Sequence, residues 1–164
     1  MTSVLVAYGS TRGSTAQLAR WLAADLRDAG VAADARPAGE VRDVSSYDAV
    51  ILGGALYMGR WHREARHFAR RYGSALRGRP VWLFSSGPLD HSADERDLPM
   101  VKGPAQAAQR LAAREHVTFG GALAADARGF PASAMAKKLA GDYRNRDRVR
   151  VWARSIAAAL RVTV

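Results

Sequence analysis

Short apolar runs alternate with amphipathic stretches along the whole chain. Runs of Val, Ile, Leu and Phe bounded by Gly, Pro or Asp are typical of strands buried on both faces of a parallel sheet. The stretches between them repeat apolar residues at helical spacing, as Trp152 and Ile156 do. The pattern predicts strands at 4–7, 31–36, 48–53, 81–84 and 117–123, and helices at 16–29, 63–76, 103–114 and 149–160.

Strands that alternate with helices predict an α/β protein whose helices cover both faces of the sheet. Right-handed crossovers leave few topologies, and we expect a doubly wound five-stranded parallel sheet in the order 2-1-3-4-5, with ligands at the carboxyl ends of its strands. The 164 residues are expected to form a single domain, 1–164. A long, basic and weakly patterned insert is expected at 124–147, after the fifth strand.

The segment between the first strand and the first helix is rich in hydroxyl groups and glycine. A tight loop that enters a helix collects free backbone N–H groups and the positive end of the helix dipole, which together suit a phosphate monoester. Gly13 allows the backbone to approach closely or to take a positive φ. The candidate phosphate-binding residues are Ser10, Thr11, Arg12, Gly13, Ser14 and Thr15.

Two other phosphate loops are excluded by the residues around Gly13. A Walker loop requires Lys after its second glycine, but Ser14 follows Gly13. The dinucleotide fingerprint Gly-x-Gly-x-x-Gly is absent as well. Arg12 either adds a charge at the rim or faces water. The structural alternative for the whole loop is a polar turn in which Ser14 or Thr15 caps the helix.

The loops after the third and fourth strands are long enough to enclose a conjugated ring beside such a phosphate. An aromatic side chain that stacks on a ring contributes about 0.5–1.5 kcal/mol beyond area burial. In the alternative, Tyr57 and Trp61 cap the core under the next helix, and the second loop is an ordinary turn. The candidate ring-site residues are Ala55, Leu56, Tyr57, Met58, Gly59 and Trp61 in the first loop and Ser85, Ser86 and Gly87 in the second.

Composition limits the remaining chemistry. The chain has no cysteine, which excludes disulfides and thiolate catalysis and makes a cytoplasmic location the expectation. We see no apolar run that could span a bilayer and no signal-peptide pattern. No metal site is expected, because the histidines at 62, 67, 91 and 116 lack a metal-ligand spacing.

The net charge is +10, which favours acidic partners. The basic residues are spread through helices without an arginine-rich arm or an aromatic stacking motif, so nucleic acid is not an expected partner. One basic cluster, in and after the insert, is expected to attract anionic lipid or another acidic partner, unless it is a solvated helix face. It consists of Lys137, Lys138, Arg144, Arg146, Arg148 and Arg150.

Over its whole length the chain resembles the flavodoxin superfamily. It looks most like the branch that contains the menaquinone-dependent protoporphyrinogen dehydrogenase and actinobacterial flavodoxin-domain proteins. The pattern Ser10-x-x-Gly13-x-Thr15 is similar to the FMN phosphate loop of flavodoxins. The segments that carry the resemblance are 10–15, 47–50, 53–62, 84–89, 119–123 and 141–152.

The resemblance implies an FMN-binding oxidoreductase that oxidises protoporphyrinogen or a related substrate and passes the electrons to a quinone. The flavin would carry the redox chemistry, so no catalytic side chain is expected. One alternative is an FMN electron carrier whose partner is an acidic redox protein, although typical flavodoxins are acidic. Another is a flavodoxin fold without flavin, which Ala55 leaves open. A peripheral contact with the inner face of the cell membrane is part of the expectation, and the oligomeric state stays open.

Overall fold

The computed structural model describes residues 2–11, 13–88, 90–123 and 141–163. Strands and helices alternate within these ranges, as the apolar pattern predicts. The strands are β1 Ser3–Gly9, β2 Ala32–Pro37, β3 Ala49–Tyr57, β4 Arg60–Trp61, β5 Val81–Ser86, β6 Glu115–Phe119, β7 Ala122–Leu123 and β8 Gly141–Asp142. The helices are α1 Ser14–Asp28, α2 Arg63–Tyr72, α3 Ser92–Glu95, α4 Lys102–Leu111 and α5 Arg146–Thr163, with a 3-10 turn at Ala38–Glu40.

The main sheet is parallel and has the order β2-β1-β3-β5-β6. This confirms the predicted order 2-1-3-4-5, because the short strand β4 pairs only with β3 and shifts the numbering of the strands that follow. The first strand lies between β2 and β3, with Val6 level with Ala35 on one side and Ile51 on the other. The doubly wound order therefore places the carboxyl ends of β1, β3 and β5 side by side.

Two apolar layers hold the helices on the sheet. Because successive side chains of a strand point to opposite faces, Val4 and Val6 enter one layer and Leu5 and Ala7 enter the other. The first layer joins the sheet to α1 and α5, and the second joins it to α2 and α4. The inner strands β1, β3 and β5 are buried on both faces over most of their length, which explains why they read as continuous apolar runs.

The structure differs from the predicted elements mainly at strand ends. Strand β3 continues to Tyr57, because a two-residue turn lets it pair with β4. The predicted fifth strand, 117–123, is divided: β6 ends at Phe119, and Ala122–Leu123 pairs antiparallel with Gly141–Asp142. The second helix ends at Tyr72, before the predicted position. The apolar pattern of one segment cannot predict where these elements end, because each end depends on a partner strand or on a turn.

Helix α5 confirms the predicted apolar face. Trp152 and Ile156 are both buried in the first layer, against α1 and the sheet. The helix is amphipathic: Val151, Arg154 and Ser155 are exposed on its other side. None of the helices within the described ranges is long and apolar enough to cross a membrane.

Candidate functional site

The three predicted loops meet at the carboxyl edge of the sheet. In register, Gly9 at the end of β1 is level with Gly54 of β3, and Ala55 is level with Ser86 of β5. The loop after β5 touches the end of β3, because Gly87 lies directly against the side chain of Leu56. The fold therefore brings the candidate phosphate loop and both candidate ring loops to one edge.

The loop before α1 leaves several N–H groups available to an anion. Gly13 is the N-cap residue, with φ 90°, so neither Ser14 nor Thr15 occupies the capping position. The first backbone bond of the helix runs from Gln17 N–H to Gly13 O, 3.0 Å. The N–H groups before Gln17 are those that an α-helix leaves without an internal partner. The first turn of α1 contains no acidic residue that would repel an anion.

Thr15 gives the clearest sign of a missing acceptor. Its side chain is fully buried, and its Oγ1 has no hydrogen-bond partner among the described residues. Leaving a buried hydroxyl unsatisfied costs about 1–3 kcal/mol. Ser10 lies across the loop and accepts a hydrogen bond from Gly13 N–H at 3.1 Å, which holds the loop closed. The donor set around Thr15 fits a phosphate group.

His62 connects the phosphate loop to α2. Its Nδ1 accepts a hydrogen bond from Glu64 N–H, 3.1 Å, as the cap of α2, and its Nε2 lies 3.0 Å from Thr11 Oγ1. A neutral ring with an accepting Nδ1 carries its proton on Nε2, so Nε2 donates to Thr11. Burial lowers the pKa of His62 and favours this neutral form. The hydroxyl proton of Thr11 is then available to an acceptor in the loop.

Sequence reasoning did not find the role of His62. Its only local signal is its position directly before Arg63 and Glu64, where α2 begins. The contact with Thr11 joins residues 51 positions apart and depends on the packing of α2 beside β1. Arg12, the remaining candidate of the phosphate loop, lies outside the described residues.

The turn between β3 and β4 exposes an apolar side chain at the same edge. Met58 and Gly59 have φ 52° and 75°, the two positive values of a type I′ hairpin turn. Met58 is 75% exposed, and Leu56 and Tyr57 are half-buried beside it. A left-handed conformation costs a residue other than glycine about 1–2 kcal/mol. This strained turn holds three apolar side chains where the ring contact is expected.

Trp61 is placed differently from its neighbours in this loop. Its side chain is 1% exposed and belongs to the second apolar layer, under α2 and α4. This is the core position that the alternative interpretation describes. The contact of Trp61 with a ring stays a prediction, whereas Leu56, Tyr57 and Met58 already reach the surface.

The loop after β5 is partly engaged in the sheet. Ser85 is fully buried, and its Oγ lies 2.7 Å from His116 Nε2. Burial lowers the pKa of His116 to about 4. Gly87 donates its N–H to Phe119 O at 3.2 Å. The hydroxyl of Ser85 is therefore already satisfied, and the reading of a ring edge by Ser85, Ser86 and Gly87 stays a prediction.

The described end of the predicted insert is fixed against α1. Arg144 donates to Gln17 Oε1 at 2.6 Å and lies over the Trp21 ring, 4.7 Å from its centroid. Arg146 makes two hydrogen bonds, of 2.6 and 2.7 Å, to the buried carboxylate of Asp25. The segment that follows β8 is thus held beside the start of α1 and the phosphate loop.

Most side chains of the expected basic cluster contact other groups of the same chain. Arg144, Arg146 and Arg150 form ion pairs with Asp142, Asp25 and Asp147. Arg148 donates to Thr118 O and lies over the Phe119 ring. Lys137 and Lys138 lie outside the described residues. Three of the four arginines are therefore paired with a carboxylate, whereas the contacts of Arg148 leave its charge in place.

The parallel order, the hydroxyl-rich loop and the two apolar loops beside it define a flavodoxin-like α/β protein. The flavodoxin domain model matches residues 5–142, and the chain belongs to this family. The solved structures agree in fold: a flavodoxin of Pseudomonas aeruginosa superposes with a TM-score of 0.63 and 18% identity, covering 98% of this chain and 99% of that one. The flavodoxin fold typically binds FMN.

Two relatives of named activity match only part of this chain. The protoporphyrinogen IX dehydrogenase (quinone) of Escherichia coli strain K12 is 22% identical over 94 residues, which are 56% of this chain and 52% of that protein. The NAD(P)H dehydrogenase (quinone) of Bradyrhizobium diazoefficiens is 28% identical over 125 residues, 60% of this chain and 63% of that protein. The matches thus span about half of the first relative and less than two thirds of the second.

A larger enzyme contains the same fold. The rubredoxin oxygen:oxidoreductase of Desulfovibrio gigas superposes with a TM-score of 0.66 and 14% identity over 99% of this chain, but over only 37% of its own length. At this identity the likeness concerns the fold alone. A flavodoxin-like unit can therefore stand by itself or form part of a longer redox protein.

Proposed function

We propose that the protein binds FMN with its phosphate in the loop before α1. The unpartnered, fully buried hydroxyl of Thr15 carries this proposal. Ser10, the hydroxyl of Thr11 and the free N–H groups at the start of α1 complete a set of neutral donors. The loop has no pyrophosphate fingerprint, which supports FMN over FAD or a dinucleotide.

The apolar loops at the same edge support a ring beside that phosphate. Leu56, Tyr57 and Met58 are the side chains that this chain offers to the ring face, and the loop after β5 lies against Leu56. When bound, FMN supplies one- and two-electron redox chemistry. The residues of the chain bind and orient it and limit its contact with water. None of them is required as an acid or a base.

We further propose that the protein is an oxidoreductase that passes electrons to a quinone. Both relatives are named as dehydrogenases that use a quinone, although their electron donors differ. Protoporphyrinogen or a related reduced substrate is the proposed donor. The exposed Met58 and the half-buried Tyr57 give an apolar rim suited to a flat, largely apolar acceptor.

The visible spectrum of the purified protein, before and after addition of FMN, tests the cofactor. The FMN-loaded protein is then reduced without oxygen and mixed with a water-soluble quinone, and separate reactions supply protoporphyrinogen or NAD(P)H as donor. Rapid reoxidation by the quinone and turnover with one donor support the oxidoreductase. If the protein carries no flavin as purified and its spectrum with added FMN is the sum of protein and free FMN, the cofactor proposal is contradicted and a flavodoxin fold without flavin is indicated.

A second candidate is an FMN electron carrier with an acidic redox protein as its partner. The net charge of +10 favours such a partner, as it favours a peripheral contact with an anionic membrane. A carrier exchanges electrons with a reductase but gives no turnover with a quinone and a small donor. Retention on anionic vesicles that falls as salt rises would support the membrane contact.

A further inference from the structure

A basic cleft lies at the amino edge of the sheet, at the end opposite the phosphate loop. It has a volume of about 250 Å³ and is formed where α2 and α4 end and where β5 and β6 begin. None of the described residues that line it is acidic. Its lining includes four arginines, Arg77, Arg79, Arg110 and Arg114.

The backbone fixes the positions of these arginines. Gly78, with φ 84°, turns the chain between Arg77 and Arg79. Arg110 packs against Gly73, where an added Cβ would stand only 3.3 Å from Arg110 Cγ, so the loop after α2 and the end of α4 share one wall. The cleft is therefore built by a left-handed turn and by the close approach of two helix ends.

Neutral groups hold two of the guanidinium groups. Arg79 donates to the carbonyl oxygens of Val44 and Tyr47, at 2.7 and 3.0 Å. The guanidinium of Arg114 lies over the Trp82 ring, 5.3 Å from its centroid. Neither contact neutralises a positive charge. These contacts therefore hold the two guanidinium groups in place while leaving their positive charge able to attract an anion.

The other two arginines are exposed, and no ion pair to Arg77 or Arg110 is present among the described residues. Arg110 stands in the last turn of α4, where a cation is stabilised by the helix dipole. That role accounts for one arginine in the cleft but not for four.

The charges of the cleft do not cancel. The carboxyl ends of α2 and α4 each carry about −0.5 of a unit charge, which offsets about one of the four positive charges. The pKa of Asp43 is lowered by hydrogen bonds from Ser45 and, in smaller part, by the charge of Arg79. Counting Asp43 in full still leaves about +2 in the cleft.

We propose that this cleft is a second anion site, which binds a phosphate-bearing ligand independently of the carboxyl edge. Arginine suits phosphate because its planar guanidinium can donate two parallel hydrogen bonds to the oxygens. The volume is below that of usual drug-sized pockets, which favours a small anion or a lipid headgroup. The site adds to the proposed FMN function and does not depend on it.

The test is a titration of the full chain with pyrophosphate at physiological ionic strength. Two-dimensional amide NMR monitors the titration, and FMN is present in excess throughout. The cleft variant is Arg77→Gln with Arg110→Gln. The matched control is Arg20→Gln with Arg154→Gln, which removes the same charge from exposed positions on α1 and α5. Co-sedimentation with vesicles of phosphatidylglycerol and phosphatidylcholine in equal parts separates a headgroup from a free phosphate.

We expect saturable shifts at Gly73, Gly78 and Ala112, and affinity at least about tenfold lower in the cleft variant but unchanged in the control. Vesicle retention lost only in the cleft variant would assign a headgroup, and pyrophosphate binding alone would assign a free anion. Equal weakening in both variants, shifts confined to 9–15, or no binding of either probe would overturn the proposal. The residue-specific shifts keep this result separate from a failure of FMN to bind.

Discussion

The carboxyl edge of the sheet carries the start of α1, whereas the amino edge carries the ends of α2 and α4. At the carboxyl edge the helix dipole is positive, and the chain offers neutral donors there, the hydroxyls of Ser10 and Thr15 among them. At the amino edge the dipoles are negative, and the chain places four arginines in one cleft. The proposed site at the amino end of a helix thus uses neutral donors, whereas the proposed site at the carboxyl ends of two helices uses charged side chains.

This difference shows that the amino end of a helix can replace side-chain charge in an anion site. Free N–H groups and a positive dipole attract a phosphate without any side-chain charge. A negative dipole must first be offset, which takes about one positive charge for two helix ends. Substitutions at the carboxyl edge should therefore act through hydrogen bonds and backbone geometry, and those at the amino edge through charge.

The largest expected effect is on the neutral donors. The double variant Ser10→Ala, Thr15→Val should bind FMN about 100-fold more weakly or worse, because two hydrogen bonds to a charged group are lost. Its unfolding free energy without FMN should fall by only about 0.5–1.5 kcal/mol, for the lost hydrogen bond from Gly13 N–H to Ser10. Valine at position 15 should cost nothing further, since it fills the place of a buried hydroxyl that has no partner among the described residues. Titration followed by flavin fluorescence measures the affinity, with Ser155→Ala as the control. Unchanged affinity would contradict the phosphate assignment.

At the same edge, Ser85 already has a hydrogen-bond partner, His116, and this pair should make the stability of the protein depend on pH. Burial lowers the pKa of His116 from 6.5 to about 4, so the unfolded chain takes up this proton first as the pH falls. Stability should therefore be lost between about pH 6.5 and about pH 4, by up to about 3 kcal/mol.

Urea unfolding at several pH values measures this loss. In His116→Gln the loss should be smaller, because glutamine can still hydrogen bond to Ser85 but does not titrate. The exposed His67→Gln variant serves as the control. An identical pH dependence in wild type and His116→Gln would show that His116 does not carry the effect.

Two glycines offer a matched comparison between the edges. Gly13 and Gly78 have φ values of 90° and 84°, and a Cβ at either would meet no atom within 4 Å. Alanine at each position should therefore cost a similar amount, about 1–2 kcal/mol of stability, from backbone strain alone. Gly13→Ala should also weaken FMN binding, whereas Gly78→Ala should weaken only pyrophosphate binding. Loss of both ligands in one variant would mean that the two edges are not independent.

The smallest expected effect is at the link between the phosphate loop and α2. Asparagine at position 62 can still cap α2, but it is too short to reach Thr11 as the imidazole does. His62→Asn should therefore weaken FMN binding about fivefold, on the scale of one hydrogen bond, with little change in stability. His67→Asn is the control. Unchanged FMN affinity in His62→Asn would show that the contact of His62 with Thr11 does not support FMN binding.

The apolar pattern was sufficient for the layers and the topology. Buried runs such as 48–53 and 81–84 are typical of strands between two layers of helices, and right-handed crossovers then leave few orders, of which 2-1-3-4-5 was the one predicted. The hydroxyl-rich loop was also local in sequence, because the strand, the loop and the helix start are consecutive. The residues 10–15 could therefore be selected before their environment was known.

The rest depended on partners distant in the chain. The contact of His62 with Thr11, the hydrogen bond of Ser85 to His116 and the ion pair of Arg146 with Asp25 each join separate elements. No periodicity encodes them, because a side chain's partner is chosen by how the helices pack on the sheet. Likewise, the ion pairs of Arg144, Arg146 and Arg150 lower the net charge of a basic cluster that was predicted from the sequence to attract an acidic partner.

The sequence by itself determined the α/β class and narrowed the strand order to few choices, and it placed the candidate phosphate loop, because these follow from local periodicity and from consecutive residues. Only the tertiary structure decided which hydroxyl is unpartnered, as at Thr15, and which is satisfied, as at Ser85. It also decided that four arginines from two separate segments share a cleft at the amino edge. Burial and proximity are properties of the packed chain, and they set the chemistry of a group that the sequence can only name.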